Sequence, residues 1–297
     1  SDEPIQKILD KIKNKGIKLG EICNVNTGIM GGCDYISKRN IDYCSSQDRI
    51  KNDIQLGDGV FVLDDTNERD REIIKDIIKT GYLYKFYKNS DIERFYTNNS
   101  TSKYIIFSSK DNGAYNNNDI KRHLDKFKSI LEKNREINNE DIDLYPFLRR
   151  GTAHQYIFES PKIVAPQRSP RNTFGYNEVP WYAASDVFFI TQKDENVSLK
   201  YILALLNSKL YYLWLYYRGK RKGEILELTA KPLSEIPIKI VPQMDQQPFI
   251  DLVDKILAAK KTNHAADTTA WEKEIDQLVY KLYELTDEEI AIIERRQ

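Results

Sequence analysis

Apolar residues return at helical spacing from the first turn of the chain: Ile5, Ile8, Leu9 and Ile12 share one face and stop before Gly16. That face needs a covering surface, expected from residues upstream. Residues 17–32 carry short apolar runs broken by Asn24, Asn26, Gly28, Gly31 and Gly32, which predicts strands joined by tight turns. Residues 60–63 read as a further strand, and Ile73, Ile74, Ile77 and Ile78 form one helical face ending at Gly81. A buried strand is expected at 104–107. Residues 119–136 then predict a single helix, with Ile120, Leu124, Phe127 and Leu131 inward and charged residues outward.

Residues 155–159, 163–165 and 187–191 alternate or run apolar at strand length and predict three sheet members. Residues 199–217 are apolar almost all round and near membrane-spanning length. Lys200, Asn207, Ser208 and Lys209 would be costly in lipid, so the segment predicts one buried helix. Residues 236–241 suit an edge strand, because Pro237 cannot donate to a ladder. After Pro242 the pattern is helical only, with Thr269-x-x-Glu272 and Thr286-x-x-Glu289 both matching a capping box. The expectation is an α+β fold, mixed sheets packed around the 199–217 helix, with a C-terminal helical tail. The boundaries read as a helix or linker over 1–16, a body over 17–245 and a tail over 246–297.

The 297 residues are enough for one large domain with an appendage or for two modest domains. Basic and acidic residues number 45 each, so no global field drives the chain onto nucleic acid, and any such contact must be local. From Gln246 onward there are 7 Lys and Arg against 11 Asp and Glu, leaving 38 against 34 before it. The body is thus the part suited to phosphates. Cys23, Cys33 and Cys44 are odd in number and lack Cys-x-x-Cys spacing, which fits a reducing cytoplasm. Ser1-Asp2-Glu3-Pro4 resembles neither a signal peptide nor a natural start, so further residues are expected upstream.

Catalytic signatures are wanting. No Asn/Asp-Pro-Pro-Tyr loop is present to hold a flipped base; Val179-Pro180-Trp181-Tyr182 comes nearest and lacks the amide or carboxylate. It reads as a loop with aromatic anchors. Asp119-Ile120-Lys121 fits half of a metal-nuclease motif but stands at a helix start, where an acidic residue serves capping. His123, His154 and His264 have no partner at diagnostic spacing, and His154, in a loop, is the most promising of them. Thr27, Gly28, Gly31 and Gly32 form a turn, with a DNA-backbone contact as the second reading.

Two basic clusters remain. Arg149, Arg150, Lys162, Arg168 and Arg171 are opposed only by Glu159, with Gln155, Gln167, Asn172 and Asn177 interleaved. Arg takes phosphates or guanine edges, and Asn and Gln match adenine edges. Arg218, Lys220, Arg221 and Lys222 around Gly219 and Gly223 read as a flexible basic loop for the DNA backbone, or as charges complementing a helix C-terminus.

The order of short motifs supplies a family. Val25-Asn26-Thr27-Gly28, Tyr84-Lys85-Phe86-Tyr87, Asp91-Ile92-Glu93-Arg94-Phe95 and Lys103-Tyr104-Ile105-Ile106-Phe107 are followed by Ser160-Pro161-Lys162-Ile163-Val164 and the Arg168/Arg171 loop. Leu205-Leu206-Asn207-Ser208-Lys209-Leu210 and the closing Leu233 to Ile238 run complete the set. Over residues 17–242 the chain resembles a TaqI-like specificity domain, and its tail resembles the C-terminus of fused enzymes of the type IIG kind. The resemblance implies recognition of duplex DNA for an adenine-specific methyltransferase, often fused to an endonuclease, whose catalytic domains precede this one. S-adenosylmethionine and Mg2+ would then belong to those upstream domains and no cofactor to this chain. The competing readings are a non-DNA interaction module with solvated Arg loops and a self-contained nuclease using Asp119 and Lys121.

Overall fold

A computed structural model describes residues 2–149 and 154–297. Its centre is a five-stranded sheet in the order Cys23–Thr27, Val187–Gln192, Lys162–Pro166, Gly175–Asn177, Phe95–Tyr96. The strand Val187–Gln192 runs antiparallel to both neighbours, with Ile190 opposite Val25 on one side and Ile163 on the other. Successive side chains of a strand point to opposite faces. Ile163, Ala165, Phe188 and Ile190 accordingly enter one hydrophobic core, while Val164, Val187 and Phe189 enter a second. A sheet covered on both faces explains why these segments are continuously apolar instead of alternating.

The second core lies under a four-stranded sheet, Tyr182–Ala183, Leu83–Tyr87, Lys103–Ile106 and Val62–Asp64, with the helix Glu68–Ile77 beside it. Trp181 and Tyr182 are fully buried and stack on Tyr87 and Tyr84 with ring centroids 4.8 and 4.5 Å apart, so the Val-Pro-Trp-Tyr loop is an aromatic anchor. The 119–136 segment is two helices, Asn118–Lys126 and Lys128–Ile137, because buried Phe127 at φ −102° and ψ 12° leaves the helical region between them.

The first core is helical. The 199–217 segment is likewise two helices, Leu199–Leu206 and Lys209–Arg218, broken at Asn207-Ser208, and Ser208 caps the second through the Tyr211 N–H. Gln243–Thr262 and Thr269–Leu282 pack against Leu199–Leu206, so tail and body share one core. The apolar face of Glu3–Lys15, for which an upstream partner was expected, is covered by the chain itself. Ile8 and Ile12 are fully buried beside the helix Asp287–Arg295, and Lys11 pairs with Glu289 at 2.6 Å.

Pro237 stands on an edge as expected, in a two-residue antiparallel pair of Pro237–Ile238 with Ile17–Lys18. Thr286 and Glu289 form the expected reciprocal capping box. Thr269 and Glu272 do not: Thr268 holds the N-cap position without a side-chain bond to the helix backbone, its hydroxyl donating to the Glu272 carboxylate at 2.9 Å, and Glu272 turns to Arg94 at 3.0 Å. Residues 155–159 were expected as a strand and are a helical turn, Tyr156–Glu159. Both edges of Lys162–Pro166 are already occupied by other strands, which leaves that turn no ladder to join. Among the described residues no helix is long and apolar enough to cross a membrane.

Candidate nucleic-acid interface

The two basic clusters meet in a small sheet. Gly223, at φ +65°, lies in the two-residue connection Gly223-Glu224 between the strands Lys220–Lys222 and Ile225–Glu227, where positive φ is required. Arg168–Ser169 then pairs with Leu226–Glu227, and the Leu228 N–H donates to the Gln167 carbonyl at 2.8 Å. The expected flexible loop at 218–222 is therefore mostly a strand, stiffened by a hairpin.

The register decides which charges share a face. Lys220 stands opposite Glu227, and Glu227 opposite Arg168. Residues in register project to the same side. The Glu227 carboxylate lies 3.6 Å from the Lys220 ammonium and 3.7 Å from the Arg168 guanidinium. Lys222, two positions from Lys220, extends the row outward. On the opposite face Leu226 is buried and Arg221 covers the Tyr216 ring at 3.9 Å. Arg218 donates to the Gln6 side chain at 2.7 Å.

The Arg168 strand continues into a turn locked from behind. Asn172, a candidate base contact, is buried at 2% exposure and donates to the carbonyls of Leu206 at 2.7 Å and Ser208 at 2.9 Å. It satisfies the Leu206 carbonyl, orphaned at a helix C-terminus, adds a second donor to the Ser208 carbonyl, and is withdrawn from the interface. Asn207 closes the lock, accepting from the Phe174 N–H at 2.9 Å and donating to the Phe174 carbonyl at 2.8 Å. Gly175 follows where a Cβ would meet Thr97 and the Tyr96 carbonyl at 2.8 Å. Arg168 and Arg171 remain exposed at the front, with Gln167 half-buried.

The other candidates are scattered. A Cβ on Gly28 would lie 2.3 Å from the Ala184 carbonyl, and the Gly28 N–H already donates to Val187 at 2.9 Å. Gly28 is an interior crossing, not a phosphate cradle, and Thr27 is a half-buried strand residue beside Phe188. Gly31 and Gly32 are half-exposed, Gly32 accepting from Asn134 at 2.8 Å. Arg149 donates its backbone N–H to Met30 at 3.0 Å, and its side chain meets Glu140 at 3.1 Å, a carboxylate it shares with buried Arg135 at 2.6 Å. Arg150 lies outside the described residues. His154 is exposed against the Tyr156 ring, and Gln155 donates to the Tyr182 hydroxyl at 2.9 Å. Among the described residues no hydrogen bond or ion pair joins Arg149, His154 or Gln155 to the Arg168 sheet.

Lys162 leaves the basic cluster altogether: it is fully buried and donates to the carbonyls of Ser160 and Val179 at 3.0 and 2.7 Å. Burial pushes its pKa down to about 7. Buried His123 bonds the Val60 carbonyl at 2.8 Å, and burial lowers its pKa to about 4. The Asp119 carboxylate pairs with Arg122 at 3.1 Å, and Lys121 sits over the Tyr115 ring at 4.3 Å. Among the described residues no three His, Cys, Asp or Glu side chains converge as metal ligands. Sequence reasoning missed Glu227, Asn207 and Arg94. Only the Leu-Asn-Ser string hinted at Asn207, and Glu227 becomes visible through strand register alone.

The chain belongs to the family of TaqI-like C-terminal specificity domains, whose pattern matches residues 84–238, just over half of it. Type II methyltransferase M.HincII of Haemophilus influenzae is 45% identical over 60 residues, 20% of this chain and 12% of that protein. Type II methyltransferase M.HindII of the same species is 45% identical over 60 residues, 20% of this chain and 11% of its own length. The type IIL restriction-modification enzyme MmeI, solved in complex with DNA, has a similar fold with a TM-score of 0.61 at 13% identity. That match covers 93% of this chain and 35% of MmeI, so the chain spans about a third of the enzyme.

Proposed function

We propose that this specificity domain reads a short sequence in duplex DNA through the face that carries Arg168, Arg171, Lys220 and Lys222, in a restriction-modification protein. One observation carries the reading: a three-stranded sheet joins two basic segments some fifty residues apart in sequence, with Arg168 and Lys220 flanking Glu227. Phosphate contacts from the Lys220–Lys222 strand would set register, and the Arg168–Arg171 turn would approach base edges. Within such a protein a methyltransferase acting on adenine, with S-adenosylmethionine, and an endonuclease using Mg2+ would lie in other domains of the same chain and share its cytoplasmic location. This chain contributes recognition and no step of the chemistry.

The test is the salt dependence of DNA binding by the full-length protein. Each phosphate neutralised contributes roughly 0.9 to the slope of log K against log salt. Replacing Lys220 and Lys222 together by Ala is expected to lower that slope by about 1 to 2. An unchanged slope refutes the face and favours a non-DNA interaction module.

A further inference from the structure

Arg94 is the most connected polar side chain behind the recognition turn. Its guanidinium donates to the Asn172 carbonyl at 3.0 Å and the Asn207 carbonyl at 2.7 Å, and pairs with Glu272 at 3.0 Å. Three separate segments therefore converge on one planar group: the recognition turn, the corner between two core helices, and the tail helix Thr269–Leu282. A guanidinium suits this junction because its donors form a rigid fork. Asp276, one turn along the same tail helix, accepts from the Lys209 N–H at 2.9 Å and secures that corner a second time.

The backbone beside Arg94 is strained to make this possible. Phe95 has φ +72°, a region a bulky aromatic residue rarely enters, and is held there by its N–H bond to the Phe174 carbonyl at 2.8 Å. Such conformations persist where surrounding contacts over-determine them, and they gather at functional sites. Burial presses the Arg94 guanidinium below its ordinary pKa, Glu272 opposes that, and the positive charge of Arg171 adds to it. Glu272 thus answers the Arg94 charge, and Arg171 is exposed at the surface of the turn.

We propose that Arg94 is a positioning residue: anchored by Glu272 of the tail helix, it fixes the Asn172 and Asn207 carbonyls and so sets where the Arg168–Arg171 turn stands against DNA. The proposal rests on the DNA-reading function above. It makes the acidic tail, remote from phosphates in sequence, a determinant of which sequence is read.

The experiment uses the full-length protein and a randomised duplex library, followed by affinities for the best-retained duplex and its single-base-pair variants. Glu272→Gln and Arg94→Lys are each expected to lower discrimination among these duplexes by roughly tenfold, the scale of one misplaced bidentate base contact, with the salt slope unchanged. Combined with Arg171→Ala, each should lower discrimination by less than it does alone, since part of what it positions is already removed. A purely structural role would lower the thermal midpoint and leave discrimination intact. Wild-type discrimination in both variants, or full additivity with Arg171→Ala, overturns the proposal. Should Arg94→Lys fail to fold, Glu272→Gln, which keeps a neutral acceptor of the same shape, decides alone. If Arg171→Ala lowers discrimination and the Arg94 and Glu272 variants do not, only the positioning role falls. If Arg168→Ala and Arg171→Ala both leave discrimination untouched, the DNA reading falls and takes the proposal with it.

Discussion

Replacing Asn207 by Ala removes two hydrogen bonds at once, from the Phe174 N–H and to the Phe174 carbonyl, in a place where Phe174 is fully buried and Asn207 is 1% exposed. Water cannot replace the lost partners without opening the loop. The Phe174 carbonyl keeps the Phe95 N–H at 2.8 Å, so only the Phe174 N–H is left unmade, which at the usual cost of a buried unpaired donor predicts a loss of about 1–3 kcal/mol of folding stability. A domain of ordinary stability, about 5–15 kcal/mol, would lose a large fraction of it. Urea unfolding followed by tryptophan fluorescence measures the loss as a fall in midpoint at unchanged slope. Asn207→Asp is the informative companion, because it keeps the acceptor for Phe174 N–H and sets a carboxylate against the Phe174 carbonyl. Its pKa should be raised in the folded protein, so the native state binds the proton more tightly and the variant recovers stability as pH falls. A loss below about 1 kcal/mol for Asn207→Ala, or no recovery of Asn207→Asp at acid pH, would refute the lock as the element that holds the turn.

Three further outcomes follow from the same geometry. With Lys162 at about 7 against an ordinary 10.5, the unfolded chain holds the proton between those values. Stability should therefore climb with pH across that window by up to about 1.4 kcal/mol per unit. The penalty is full below the folded value and gone above the ordinary one, and Lys162→Met should flatten the climb in denaturant titrations at neutral and alkaline pH. Glu227→Gln removes the carboxylate between Lys220 and Arg168, so binding to duplex DNA of any sequence should tighten several-fold at low salt and converge on wild type at high salt. Equal affinity at low salt would mean that this face does not meet phosphate. Gly28→Ala forces a methyl group against the Ala183 and Ala184 carbonyls and should cost at least about 1–3 kcal/mol, read as a lower urea midpoint. A neutral result would restore the possibility of an open turn.

Much of the architecture is legible in side-chain periodicity. Residues 163–165 and 187–191 announce a doubly covered sheet, because apolar residues facing two cores leave no polar alternation behind. The 155–159 segment misled for the complementary reason: four or five residues with mixed polarity fit a helical turn as well as a strand, and only vacancy at a sheet edge distinguishes them. The two long helices were legible as helical but not as broken. Phe127 and Asn207 interrupt them through backbone angles and partners that lie elsewhere in the fold, so spacing along the segment carries no trace of the break.

For the candidate interface, the division follows from the range of the forces involved. Local composition sufficed to find the basic segments at 168–171 and 218–222, to keep 199–217 out of a membrane, and to place Pro237 on an edge, since each depends on residues within a few positions. Whether a charge is free depends instead on what approaches it through space. Arg149 shares Glu140 with Arg135, Asn172 and Lys162 turn inward to buried carbonyls, and Arg168 joins Lys220 across Glu227 only because a hairpin pairs with a distant strand. Residue types and helical or strand periods are properties of the chain, but register, compensation of charge and the convergence on Arg94 are non-local, and they exist only once the two cores have closed on either side of the sheet.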